Sequence, residues 1–145
     1  MTEISIGGRK IPLFYSTYEM IAIQRDIGCT AYQLRDEVFG VVENEDGDWT
    51  KNRIECVTDA TKTEKLGKLI RILGNAGLEE SGQKPDLTDM WVMRNMAPAM
   101  VVIYAMALMA IIHEGNSLEA LAKEAEKGPV DEILEEENAK KAPGK

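Results

Sequence analysis

Apolar and polar positions alternate with a period of two at the start of the chain and follow a helical period almost everywhere after it. In residues 3–14, "EISIGGRKIPLF", Ile4 and Ile6 alternate with polar neighbours, Gly7-Gly8 supplies a tight turn, and Ile11, Leu13 and Phe14 return. That pattern predicts a β-hairpin, with Pro12 confining the second run to an edge. From Tyr15 onward the period changes. Ser16 is followed three residues later by Glu19, a capping box, with Tyr15 and Met20 at the staple positions. Met20, Ile23 and Ile27 then form one stripe, and Gly28 ends it. "TAYQLRDEVF" repeats the device, with Thr30 as cap, Gln33 at the third position and Leu34 next, and predicts a second short helix. Residues 40–58 lose the helical period around Asp46-Gly47, so a long loop or a small hairpin is expected there.

The period resumes with Thr61 and Glu64, a third capping box, followed by a stripe of Leu66, Leu69, Ile70 and Leu73 and a stop at Gly77. Lys62, Lys65, Lys68 and Arg71 fall outside the stripe and read as a solvated face. After the loop "ESGQKPD", Asp86 is expected to cap "LTDMWVMRNM". Pro98 either kinks this helix or starts another that runs to about His113. Asn116 with Glu119 makes a fourth capping box, ahead of a stripe of Leu118, Leu121, Ala122 and Ala125 that Gly128-Pro129 breaks. Beyond it only Val130, Ile133 and Leu134 are apolar in register, and past Asn138 the composition predicts disorder. The pattern as a whole predicts a mainly α fold: a small helical bundle with a short N-terminal β-hairpin and a flexible C-terminal tail. One helical domain is expected over residues 1–127, with the hairpin at 3–14, and an acidic short helix and tail over 128–145.

One segment breaks the amphipathic pattern. From Met96 to Ile112, 17 residues pass without a charge. A membrane span needs about 20 apolar residues, and no Lys/Arg cluster flanks this one to set an orientation. A helix that is apolar all round belongs at the centre of a bundle, and that is the expected place for it. Its beginning has a second reading. Met90, Met93, Met96 and Met100 step by three, three and four, which is one helical face. Methionine is flexible and polarizable, so such a face suits either filling core gaps or binding varied apolar partners. If it binds a client, Met93→Glu and Met96→Glu should each abolish binding and leave the fold intact.

Composition narrows the chemistry. Twenty-five acids against 17 bases leave a net charge of −8. That balance disfavours nucleic-acid phosphate and anionic membrane as partners. The start "MTEISIGGRK" has no apolar h-region, so a reducing cytoplasm is expected and Cys29 and Cys56 are read as free thiols. "ENEDGDW" fails as a calcium loop, because Val42 and Arg53 stand at its first and twelfth positions. His113 is the one histidine and has no local acid–base partner. Asp36-Glu37 and Glu79-Glu80 are adjacent, and adjacent helical positions diverge. The expectation is a non-enzymatic protein with no catalytic residue, metal or cofactor.

The order of pieces carries a resemblance. A hairpin leads into "YSTYEMIAIQRDIGCTAYQL", an acidic loop follows, then "LGKLIRILGNAGLEESGQKPDLTDMWV" and an alanine-rich helix. Over roughly residues 4–127 this resembles the tail assembly chaperones of long-tailed bacteriophages and related prophages. The resemblance implies a small helical protein of the host bacterial cytoplasm that binds the tape measure protein and is left out of the mature virion. It also implies a longer form made by ribosomal frameshifting; codons such as GCA-AAA-AAG at Ala139-Lys140-Lys141 would form a slippery heptamer. Self-association is a further partner reading. The methionine face at Met90, Met93, Met96 and Met100 is not inherited from that family. Two other classes stand beside it: an acidic inhibitor of a host enzyme that handles nucleic acid, and a generic helical adaptor.

Overall fold

The hairpin forms where alternation places it. In the computed structural model, which describes residues 1–117, β1 (Glu3–Ile6) pairs antiparallel with β2 (Arg9–Pro12), with Ile4 opposite Ile11. Ile4, Ile6 and Ile11 are buried on one face. Gly7 and Gly8 both take positive φ in the turn, which only glycine adopts cheaply. The Leu13 N–H donates to the Thr2 carbonyl at 2.8 Å and extends the pairing by one bond.

Helix α1 (Thr17–Ile27) starts on Ser16 and stops on Gly28 as its sequence dictates. Both halves of the capping box are made: Glu19 accepts from the Ser16 N–H at 2.9 Å while Ser16 accepts from the helix backbone. That pairing satisfies Glu19 in a buried position. The second helix is shorter and wider than expected. Ala31–Gln33 form a turn, and Arg35–Phe39 is one π-helical turn rather than an α-helix capped by Thr30. One half of the expected cap survives, with the Gln33 side chain accepting from the Thr30 N–H. Gly40, at φ +62°, then ends the turn. Residues 40–58 hold a small hairpin, β3 (Val41–Val42) against β4 (Arg53–Ile54).

Helix α2 (Ala60–Glu80) is the centre of the unit Met1–Ile112, packed against α1, α3 and β2. Its cap is Asp59, which accepts from the N–H groups of Thr61 and Lys62, not Thr61. It runs straight through Gly77. The reason is packing. Gly67, Gly74 and Gly77 lie on the buried side, where Met93, Leu87 with Ile11, and the Pro12 carbonyl occupy the space of a side chain. Gly77 is therefore a close-approach site and not a stop. The Phe14 N–H adds a hydrogen bond to the Leu73 carbonyl of α2 at 3.1 Å. Leu66, Leu69, Ile70 and Leu73 are fully buried, each contributing about 2 kcal/mol of hydrophobic stabilisation.

The loop after α2 is closed by Asn75. Its side chain accepts from the Leu87 N–H at 2.9 Å and donates to the Leu87 carbonyl at 3.1 Å. Helix α3 (Asp89–Asn95) is capped by Thr88, whose hydroxyl accepts from the Trp91 N–H. Asp86, expected as that cap, instead pairs with Arg9 at 3.0 Å. The same guanidinium lies 5.9 Å over the Trp91 ring, tying the hairpin turn to α3. Met96 and Ala97 are extended, Pro98 opens a 3₁₀ turn, and α4 (Val101–Asn116) follows. Pro98 thus starts a new helix.

The long apolar helix is not the central one. On α4 the buried positions are Val101, Tyr104, Ala105, Leu108 and Ile112, a single stripe. Tyr104 donates its hydroxyl to the Ser5 carbonyl at 2.7 Å. The stripe of α2, opened by three glycines, receives elements from several sides, so it took the centre. The architecture is mainly helical with a short N-terminal hairpin. Two compact units divide the chain, Met1–Ile112 and His113–Lys145. The Asn116–Glu119 box, the Leu118–Ala125 stripe, the boundary at 127, the segment 128–145 and Ala139-Lys140-Lys141 lie outside the described residues.

Candidate functional site

The four methionines do not share a face. Helix α3 ends at Asn95, and Met96 is already extended, so the spacing that aligns Met90, Met93, Met96 and Met100 on one helix is interrupted. Met90 is 66% exposed, Met93 is half-buried, Met96 is only 7% exposed, and Met100 is half-buried beyond the break. Met96 belongs to the core.

Two of the four meet in a groove between the start of α2 and α3. Met90 and Met93 join Val57 and Ala60 in an open, mainly apolar hollow of about 710 Å³. Thr58 and Thr63 continue the wall, and Glu64, Lys68 and Asp89 stand on it as charges. The thioether of Met93 lies over Gly67. A side chain on residue 67 would displace it, so the glycine sets how deep Met93 sits. Val57 and Ala60 carry no sequence signal for this role. Val57 comes to the groove from the 3₁₀ turn before α2 and Ala60 from the first position of α2 itself, neither of which periodicity describes.

The charged groups are ordered by one acid. Asp89 receives the Arg71 Nε at 2.5 Å and faces the Lys68 ammonium at 3.4 Å, and Arg71 also reaches Asp26 on α1 at 3.5 Å. Burial pushes the Asp89 carboxyl up, but the hydrogen bond and charge of Arg71, with Lys68, outweigh it and hold it below the ordinary range. Lys68 and Arg71 are therefore not a solvated row. They link α1, α2 and α3, and Arg71 is the residue both acids share.

A second apolar surface lies on α4. Val102, Ile103 and Met106 are 36%, 52% and 53% exposed on the side opposite the buried stripe. Pro98–Asn116 is long and apolar enough to cross a membrane by length and composition, yet one side of it belongs to the core of the molecule. No charged residue between Met96 and Ile112 marks which side faces out. That is why sequence periodicity missed this trio.

The remaining candidates resolve into structure. In the acidic loop, Glu43 pairs with Arg35 at 2.6 Å and Asp46 with Lys51 at 3.1 Å. Asp48 accepts from the backbone and hydroxyl of Thr50. Among the described residues no group of three or more His, Cys, Asp or Glu side chains is placed to hold a metal ion. His113 is exposed. Both cysteines are free and buried. Burial pushes the Cys56 thiol up to about 11 and raises the Cys29 thiol too. Alkylation by iodoacetamide at pH 8 should accordingly be slow at both thiols in the folded protein and fast in urea, followed by mass spectrometry. Rapid modification of Cys56 in native buffer would show that its pocket opens.

No protein-family model, curated protein or solved structure matches this chain.

Proposed function

We propose that this protein is a non-enzymatic chaperone of the tail assembly kind. It holds the tape measure protein soluble in the host bacterial cytoplasm and leaves it on assembly. The observation that carries the reading is the outer side of α4, where Val102, Ile103 and Met106 stand in solvent on a run without charge. Large apolar side chains grouped on one helix are a contact surface in search of a partner. The fitting partner is an amphipathic helix, which exposes an apolar stripe until it assembles. A patch one helix wide gives weak, reversible binding, and many copies along one long client add avidity. The net charge of −8 keeps such a loaded complex in solution. The acidic-inhibitor alternative draws less support, because Glu43 is paired with Arg35, Asp46 with Lys51, and Asp48 is hydrogen-bonded to Thr50.

The test is co-expression with the long helical reading frame expected beside this gene. The client should become soluble and co-purify with the chain. Ile103→Glu combined with Met106→Glu should abolish co-purification while circular dichroism is unchanged, since both side chains are exposed. A client that stays insoluble and never co-purifies sinks the reading.

A further inference from the structure

We propose that the groove between α2 and α3 takes the apolar stripe of an amphipathic helix flanked by lysine or arginine. This rests on the client-binding reading and specifies the chemistry of what one surface accepts. The floor comes first. Val57, Ala60, Met90 and Met93 offer an apolar base of mixed shape. Two unbranched thioethers adapt it to different side chains. The volume of about 710 Å³ accommodates a few large apolar side chains.

The backbone of the occupant comes next. The walls are helix and 3₁₀ turn, Glu55–Val57, Ala60–Glu80 and Asp89–Asn95, and offer no strand edge. An extended peptide would leave its N–H and C=O groups unpaired against apolar side chains. A helix brings its own backbone bonds, so it is the form that fits.

Charge then selects among helices. Lys68 and Asp89 face each other, and Asp89 is also held by Arg71. Glu64 is exposed on the rim and has no ion pair among the described residues. Glu64 therefore leaves one unpaired negative charge on the rim, in a chain of net charge −8. A cation beside the docking stripe meets Glu64; an anion is repelled. The exposed stripe of a second copy at Val102, Ile103 and Met106 is a poor occupant, because it lies in a run with no cation.

The experiment uses the full chain with ¹³C-methyl methionine and two synthetic amphipathic peptides. Both share one leucine stripe; one is flanked by lysine, the other by glutamate. At low salt the lysine peptide should shift the Met90 and Met93 methyl signals. It should bind roughly three- to fivefold more tightly than its partner, the scale of one exposed ion pair. Glu64→Gln, an exposed helical substitution, should remove most of that preference. Equal binding of the two peptides overturns the proposal. So does a preference that survives Glu64→Gln, or a shift at Met106 in place of Met90 and Met93. If the groove fails in this way while the tape measure protein still co-purifies, the chaperone reading stands without it. If the lysine peptide docks as expected and the tape measure protein does not co-purify, the chaperone reading alone falls.

Discussion

Gly77→Ala is expected to destabilise the protein by about 3 kcal/mol, although the same change inside an exposed helix stabilises by about 1 kcal/mol. The sign reverses because of what lies over the helix. A Cβ on residue 77 would fall on the Pro12 carbonyl oxygen, with the Leu13 nitrogen 2.9 Å away. These are backbone atoms of the chain that leaves β2, and the Phe14 N–H behind them is bonded to the Leu73 carbonyl of α2. They cannot step aside as a side-chain end can, so the hairpin must lift from α2. Gly67→Ala is the control. The atoms its Cβ would crowd are Sδ and Cε of Met93, the far end of a flexible side chain. Its propensity gain should offset most of the cost and leave stability within about 1 kcal/mol of the parent. Urea unfolding followed by circular dichroism measures both. Equal effects of the two substitutions would mean that the hairpin is not seated on α2 as described.

Met96→Glu should cost about 3 to 5 kcal/mol and leave a large unfolded fraction at neutral pH. Met96 is 7% exposed and part of the core, so a carboxylate there loses its water and gains no cation. This corrects the expectation that the fold would survive the change. The new carboxyl would have its folded-state pKa raised above the unfolded value. Its uncharged form is therefore tolerated below about pH 4, and stability falls as pH rises through the interval between the two values. Met90→Glu is the opposite case. Met90 is 66% exposed, so the same substitution should leave the urea midpoint nearly unchanged. A Met96→Glu protein as stable as the parent at pH 7 would put Met96 at the surface and restore the single methionine face.

These two residues also show where sequence reasoning stopped. Gly77 reads as a helix stop because glycine is common just past a C-terminus. In the structure it continues α2 because a second segment needs the space of its missing side chain. Met96 reads as the third step of a helical face, but the backbone turns extended there ahead of Pro98. Local signals have no access to either fact. By contrast Ser16, Glu19 and Gly28 bound α1 as read, since a cap and a left-handed stop are satisfied within a few residues. The Asp59 and Thr88 caps were displaced by two residues from the ones expected at Thr61 and Asp86. Several residues in each stretch can cap, and packing selects the register.

Sequence by itself determined the helical class, the hairpin, the loop at 40–58 and the charge-free run from Met96 to Ile112. Each follows from period, capping chemistry or composition, which act over a few residues. Tertiary structure alone decided which helix is central, which side of α4 faces solvent, and which methionines can touch a partner. Those questions depend on which surfaces meet. From Val101 to Ile112 no charged residue orients the helix, so its neighbours choose the side it buries.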